Sequence, residues 1–369
     1  VVNKLGVWGA AVGAVAGAAG VTAAGLVARR RVQQITADRA RLSAQLTDGA
    51  PEPGTDPPGE PCSVTADDGI RLSCEEIEPT TGRATMTVVL VHGMALDRRT
   101  WHFQRQALAA LDGPRVRQVL YDLRSHGRSE RAPRESCTIE QLGHDLDAVI
   151  RAVAPEGPLV LVAHSMGGMA VMALAEQNPG LFTERVAGVA LIATSAGEVG
   201  AQGLRATLLS RHNPVTRAVG LLARVQPGLI EGARKATAGI IRSITAGVAY
   251  GDRNVAPWLV DLVDTMIRVN AVDALTDFVD TLGSHNRIAA LPALATCEVL
   301  VLAGDADRVI PVSHSERIAA ELPDAELVVL PGVGHLPMLE QPATTDEALI
   351  GLLRRAAFRT RPRGLRRRA

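Results

Sequence analysis

Short, nearly continuous apolar runs recur through the middle of the chain. Residues 86–91, 119–121, 158–162, 186–193, 299–303 and 326–330 each read as a buried strand. The run at 158–162 leads through a turn of small residues into 168–175, which reads as a helix. Strands interleaved with helices predict an α/β domain built on a mostly parallel sheet. The alternation stops between 197 and 290, where segments 204–209 and 258–267 carry helical periodicity instead. Near the N-terminus, residues 5–28 carry no charge, 32–47 read as a short helix, and 49–61 are dense in proline, glycine and acid. The predicted organisation is an apolar segment over 1–31, a short helix and linker over 32–61, an α/β domain over 62–356 with an insertion at about 197–290, and a basic tail over 357–369.

The turn after 158–162 reads Ala163-His164-Ser165-Met166-Gly167. A serine on a sharp strand-to-helix turn lifts its hydroxyl above the sheet, at a helix N-terminus where developing negative charge is favoured. Such a turn is tight, so the residues two before and two after the serine must be small, as Ala163 and Gly167 are. A pentapeptide of this kind also arises by chance; the flanking strand and helix patterns set this one apart. A serine hydroxyl needs a base to take its proton and an acid to orient that base. Two downstream loops offer both. Gly304-Asp305-Ala306-Asp307-Arg308-Val309-Ile310-Pro311 follows one apolar run, and Pro331-Gly332-Val333-Gly334-His335 follows the next. Each candidate therefore lies at the C-terminal end of a strand, where open α/β sheets place their sites.

Together these motifs resemble the α/β-hydrolase superfamily, in its serine-nucleophile branch of esterases, monoacylglycerol-lipase-like enzymes and cofactor-free haloperoxidase-like enzymes. The resemblance runs from about 62 to about 356. It implies the α/β-hydrolase fold, a mostly parallel central sheet flanked by helices with an inserted helical cap. It implies Ser165 as nucleophile and His335, in Gly-x-Gly-His-x-Pro, as base. Asp307 takes the acid's place, as fourth residue of Gly-x-x-Asp-x-x-x-Pro, with Asp305 its rival. Some relatives carry the acid one strand earlier; here that strand ends in Thr194-Ser195, with no carboxylate before Glu198. The two oxyanion donors become the amides of Met166 and of Met94, the latter in His92-Gly93-Met94, with His92 expected to hold the loop's shape. The segment from Asp122 to Ser129 resembles the family's Asp-x-x-Gly-x-Gly-x-Ser loop and is expected to be a structural turn, with Asp122 and Arg124 bonding the backbone. Two positions depart from the pattern: Ala163 and Ser125 stand where glycine is usual.

Composition adds detail. The apolar fraction of 47% is ample for a large core, and aromatic residues make up only 2%. Lysine occurs only at Lys4 and Lys235, so arginine carries nearly all positive charge. The formal net charge of zero hides a segregation: Arg354, Arg355, Arg359, Arg361, Arg363, Arg366, Arg367 and Arg368 crowd the C-terminal end without an acid among them. The four cysteines show no metal spacing. Asp67-Asp68-Gly69 reads as a three-residue hairpin turn that sets Cys62 opposite Cys74. A disulfide there would argue for an oxidising compartment.

Residues 5–28 would span about 36 Å as a helix, enough for a bilayer core. Gly9, Gly13 and Gly17 repeat at four-residue spacing, which would let two such helices approach as a homodimer. Arg29, Arg30 and Arg31 follow the apolar run, which predicts a single-pass anchor with the catalytic domain on the cytoplasmic side. The expected activity is that of a membrane-associated serine hydrolase cleaving a small-molecule carboxylic ester with a hydrophobic acyl group, a lipid ester among the candidates, through an acyl-enzyme. No metal, organic cofactor or nucleic acid enters that chemistry. Two alternatives stand beside it: perhydrolase or haloperoxidase chemistry on the same triad, and a non-catalytic scaffold on the same fold.

Overall fold

The computed structural model describes residues 57, 59–199, 247–252 and 255–360. The apolar segment over 1–31, segment 204–209, the glycines at 9, 13 and 17, and the arginines beyond Thr360 lie outside the described residues. Eight described strands form one sheet: β1 (Glu60–Thr65), β2 (Arg71–Ile77), β3 (Met86–Val91), β4 (Val116–Tyr121), β5 (Leu159–His164), β6 (Val186–Ile192), β7 (Glu298–Gly304) and β8 (Glu326–Leu330). Their spatial order is β1-β2-β4-β3-β5-β6-β7-β8. The sheet is parallel from β4 to β8, and β2 runs antiparallel to both its neighbours.

Apolar runs without alternation mean strands buried on both faces, and the side chains divide by period two. Val89, Val91, Leu161, Ala163, Val189, Leu191, Val299 and Val301 enter one core. Val88, Leu90, Val160, Val162, Ala190, Ile192, Leu300 and Leu302 enter the other. The first core is closed by α2 (Ile139–Val153), α3 (Met166–Gln177) and α5 (Val312–Glu321). The second is closed by α1 (His102–Ala109), α4 (Pro257–Val269) and α6 (Pro342–Thr360). Thr138 caps α2, its Oγ1 accepting from the Gln141 amide at 3.1 Å.

The periodic segment 258–267 falls inside α4. Its Leu259, Val260, Val263 and Met266 pack into the second core, so this cap helix spends its apolar face on the body of the domain. Trp258 meets the rings of His102 and Phe103 at centroid distances of 5.8 Å each. The hairpin register is as expected: Gly69 has φ +89°, Cys62 pairs with Cys74, and the two sulfurs are bonded. The fold exceeds its expected bounds by a little. β1 starts at Glu60, and α6 runs to Thr360, because Ala356 is buried against the sheet and Arg359 Nη2 reaches the Thr296 carbonyl.

Asp122 behaves as read, accepting from the Arg98 and Arg128 amides at 2.9 Å each. Arg124 does something different. Fully buried, it forms a bidentate pair with Asp145 at 2.7 and 2.6 Å, a second pair with Asp68 at 2.7 and 3.1 Å, and only one backbone bond, to the Ser136 carbonyl. A buried guanidinium needs matched carboxylates, and removing one leaves charge uncompensated. Asp145→Ala is therefore expected to cost about 3 kcal/mol, the low end for a broken buried pair because Asp68 remains. Urea unfolding measures it; a change within about 0.5 kcal/mol would show that Asp68 alone suffices.

Candidate active site

Ser165 sits between β5 and α3 at φ 52° and ψ −119°, a left-handed conformation that side chains rarely adopt. Its backbone is held from several sides. The amide donates to the Ile192 carbonyl on β6 at 2.9 Å, and the carbonyl accepts from the Thr194 hydroxyl at 2.7 Å and the Gly168 amide at 2.9 Å. Close backbone approach makes glycine necessary at 167, where a Cβ would lie 2.5 Å from the Val91 carbonyl oxygen and 2.7 Å from that of His92. At Gly93 a Cβ would lie 2.9 Å from the Cβ of Ser165. The loop after β3 is thus seated directly against the serine.

The three distant side chains read from the sequence converge. Ser165 Oγ lies 3.0 Å from His335 Nε2, and His335 Nδ1 lies 2.8 Å from Asp307 Oδ2. With Nδ1 donating to the carboxylate, Nε2 is left to accept from the serine hydroxyl. All three residues are buried. The two acids of the β7 loop divide the work. Asp307 Oδ1 accepts from the amides of Val309 at 2.7 Å and Ile310 at 2.9 Å, which turns Oδ2 to the imidazole. Asp305 Oδ1 accepts from the Gly332 amide at 2.7 Å and so ties the β7 loop to the β8 loop. Two backbone bonds reinforce that tie, from the Asp305 amide to Leu330 and from the Ala306 amide to Val333. Asp307 and His335 are thereby carried on one knitted unit.

Three supports of this unit had no role in the sequence reading. His164 Nε2 donates to the His335 carbonyl at 2.8 Å, so the residue before the serine also holds His335. It stands inside the pentapeptide at a position the motif leaves free. Glu340 accepts from the Gly334 amide at 2.8 Å and the Gly251 amide at 2.7 Å. Arg308 Nη1 donates to the carbonyls of Gly247 and Tyr250 at 2.7 and 3.2 Å. The His335 amide donates to the Ala249 carbonyl at 2.8 Å. The segment 247–252 is therefore clamped to both loops.

The Met166 amide opens α3 and, as a first-turn donor, has no intrahelical partner. No carbonyl among the described residues accepts from it or from the Met94 amide. His92 Nδ1 donates to the Gly93 carbonyl at 2.8 Å, and its Nε2 accepts from the Leu123 amide at 3.0 Å, which fixes the tautomer. Full burial lowers its pKa to about 4. Burial likewise lowers that of His126 to about 3 and that of His164 well below the ordinary range. His92 is thus a neutral strut between two loops. Among the described residues no cluster of histidine, cysteine and carboxylate side chains could hold a metal ion.

The sequence model of the alpha/beta hydrolase family matches residues 88–348. The chain is 27% identical to the dihydrolipoyllysine-residue acetyltransferase component of the acetoin cleaving system of Pseudomonas putida, over 74% of this chain but only 65% of that protein, under two thirds of its length. It is 26% identical to the sn-1-specific diacylglycerol lipase ABHD11 of Mus musculus, covering 74% of this chain and 82% of that one. Among solved structures it resembles a thermophilic esterase from Thermogutta terrifontis, with a TM-score of 0.64 and 27% identity over 80% of this chain and 99% of that one.

The buried histidines give a pH dependence of known sign. Unfolded imidazoles take up protons below about 6.5, whereas folded His92 resists protonation until about 4. Its contribution to stability therefore falls as pH drops from about 6.5 to about 4. Imidazole 15N shifts at pH 5 are expected to record His92 as neutral with the proton on Nδ1. A charged His92 at that pH would contradict the strut.

Proposed function

The chain belongs to the alpha/beta hydrolase family, and from that premise we propose that it is a serine hydrolase of carboxylic esters with hydrophobic acyl groups. The observation that carries this reading is the continuous relay from Asp307 Oδ2 through His335 to Ser165 Oγ, at 2.8 and 3.0 Å. Ser165 Oγ attacks the ester carbonyl carbon while His335 Nε2 takes the hydroxyl proton. Asp307 orients the imidazole and stabilises the imidazolium. The Met94 and Met166 amides receive the oxyanion. Collapse of the tetrahedral intermediate expels the alcohol, which takes its proton from His335. Water, with His335 again as base, then attacks the acyl-enzyme, and the carboxylic acid departs with Ser165 regenerated.

The relatives support ester substrates in kind: one is a diacylglycerol lipase and one solved neighbour an esterase. Perhydrolysis would send peroxide through the same acyl-enzyme, and comparison of p-nitrophenyl ester turnover with peracid formation separates the two. A scaffold role would show as an intact fold with no turnover at any acyl length.

We also propose that residues 5–28 tether the enzyme to a membrane, with Gly9, Gly13 and Gly17 as the contact stripe of a homodimer. Among the described residues no helix is long and apolar enough to cross a bilayer, and the tether lies outside them. The arginines at 29–31 favour the cytoplasmic side for the catalytic domain. The Cys62–Cys74 bond pulls the other way, because disulfides persist in oxidising compartments. Alkylation of thiols in intact cells, with and without reductant, assigns the side: Cys62 and Cys74 labelled without reductant places the domain in the cytoplasm.

Ser165→Ala is expected to abolish fluorophosphonate labelling and lower kcat by about 10⁵- to 10⁶-fold. Asp307→Ala should cost on the order of 10⁴-fold, and Asp305→Ala, which leaves the relay intact, far less. Labelling that survives Ser165→Ala, or Asp305→Ala proving the more damaging of the two, would overturn the assignment. Removal of residues 1–31 is expected to release the enzyme from the membrane fraction; unchanged partition would refute the tether.

A further inference from the structure

Asn270 closes the C-terminal end of α4, and its side chain bonds both to that helix and beyond it. The residue is only 2% exposed. Its Nδ2 donates to the Ala95 carbonyl at 2.9 Å and to the Met266 carbonyl at 3.0 Å. Its Oδ1 accepts from the Gly127 amide at 3.0 Å. One amide side chain therefore joins the end of a cap helix, the loop after β3 and the loop after β4.

The loop after β3 needs that hold. Ala95 directly follows Met94 and has φ +65°, a conformation that costs a non-glycine residue on the order of 1–3 kcal/mol and persists only where its surroundings impose it. Two other ties bind this loop to the β4 loop, the Leu123 amide to His92 Nε2 and the Arg98 amide to Asp122 Oδ1. They flank Ala95 at a distance of three residues on either side. Asn270 is bonded to Ala95 itself. Gly127 is equally constrained, with φ +54° and with the Asp122 carboxylate 2.5 Å from where a Cβ would stand.

We propose that Asn270 is a positioning residue for the oxyanion hole, fixing the conformation at Ala95 and through it the aim of the Met94 amide. The proposal rests on the serine-hydrolase reading. Its consequence is that the seating of the cap helix and the competence of the oxyanion hole are coupled through one side chain. Asn270 does not touch the ester and takes no part in proton transfer.

The test compares Asn270→Asp, Asn270→Ala and Ala95→Gly in the full chain. Asn270→Asp keeps the shape and the acceptor toward Gly127 but sets a carboxylate oxygen against two carbonyls. Ala95→Gly removes the cost of the positive φ, so added to Asn270→Ala it is expected to restore most of the lost kcat, while alone, with the Asn270 bond intact, it stays near the parent. Active sites are counted with a fluorophosphonate, so unfolded protein does not enter the rates. Per titrated site, kcat of the two Asn270 variants is expected to fall about 10- to 100-fold, the effect of a small misplacement of a catalytic donor, with KM changing less than about threefold. A trifluoromethyl ketone gives a second readout. Ser165 Oγ adds to its carbonyl carbon, the hydroxyl proton passes to His335, and the ketone oxygen becomes an alkoxide held by the same amides. Its affinity is expected to weaken in proportion to kcat/KM. Asn270 variants that keep kcat per site and ketone affinity within about twofold of the parent would overturn the positioning role. A parent enzyme that forms no adduct at Ser165 would instead strike the serine-hydrolase reading, and the two failures are distinct.

Discussion

A serine backbone held at φ 52° between a strand and a helix is the constraint on which the rest of the site depends. Such a conformation is unfavourable for a residue with a Cβ, so the surroundings must impose it. Here they do so with main-chain and side-chain bonds from β6 and the threonine beyond it, and with glycines where neighbouring backbones come closest. The return is a hydroxyl whose direction is set before any substrate arrives. The loop after β3, the loop after β8 and the segment 247–252 all take their places relative to that fixed point.

Much of the fold was legible because a parallel sheet covered on both faces leaves a strong trace. Val88 and Leu90 needed one hydrophobic layer, Val89 and Val91 the other, so the strand had to be apolar throughout. The hairpin register was legible too, since a three-residue turn with glycine at a positive φ fixes which residues face each other. That Ser165, His335 and an aspartate of the β7 loop would meet could be read from glycine spacing and chain order. The choice between Asp305 and Asp307 could not, because both stand in the same loop. What separates them is where their oxygens are spent, on the Gly332 amide in one case and on the imidazole in the other.

The supports of the site left little trace for a related reason. His164, Glu340, Arg308 and Asn270 bond mainly to backbone groups of segments far away in the chain. Any residue can supply a carbonyl or an amide, so the partner's identity gives no signal. Arg124 shows the converse. Its place in a loop motif suggested backbone bonding, but a fully buried guanidinium found carboxylates on α2 and in the β1–β2 turn. The burial that decides such cases is a property of the assembled layers.

The position of β8 has a consequence for how the enzyme fails. Among the described residues β8 is the last strand of the sheet, with one side unpaired, and its Leu327 and Val329 stay 38% and 40% exposed. The histidine that would move the protons hangs from the loop at the end of this strand, and the aspartate loop is laced to it. Elements at a sheet margin open at lower free energy than its interior. The chemistry is therefore wired to a fuse. Gentle heating should part His335 and Asp307 from Ser165 by fraying this margin while the inner strands still stand.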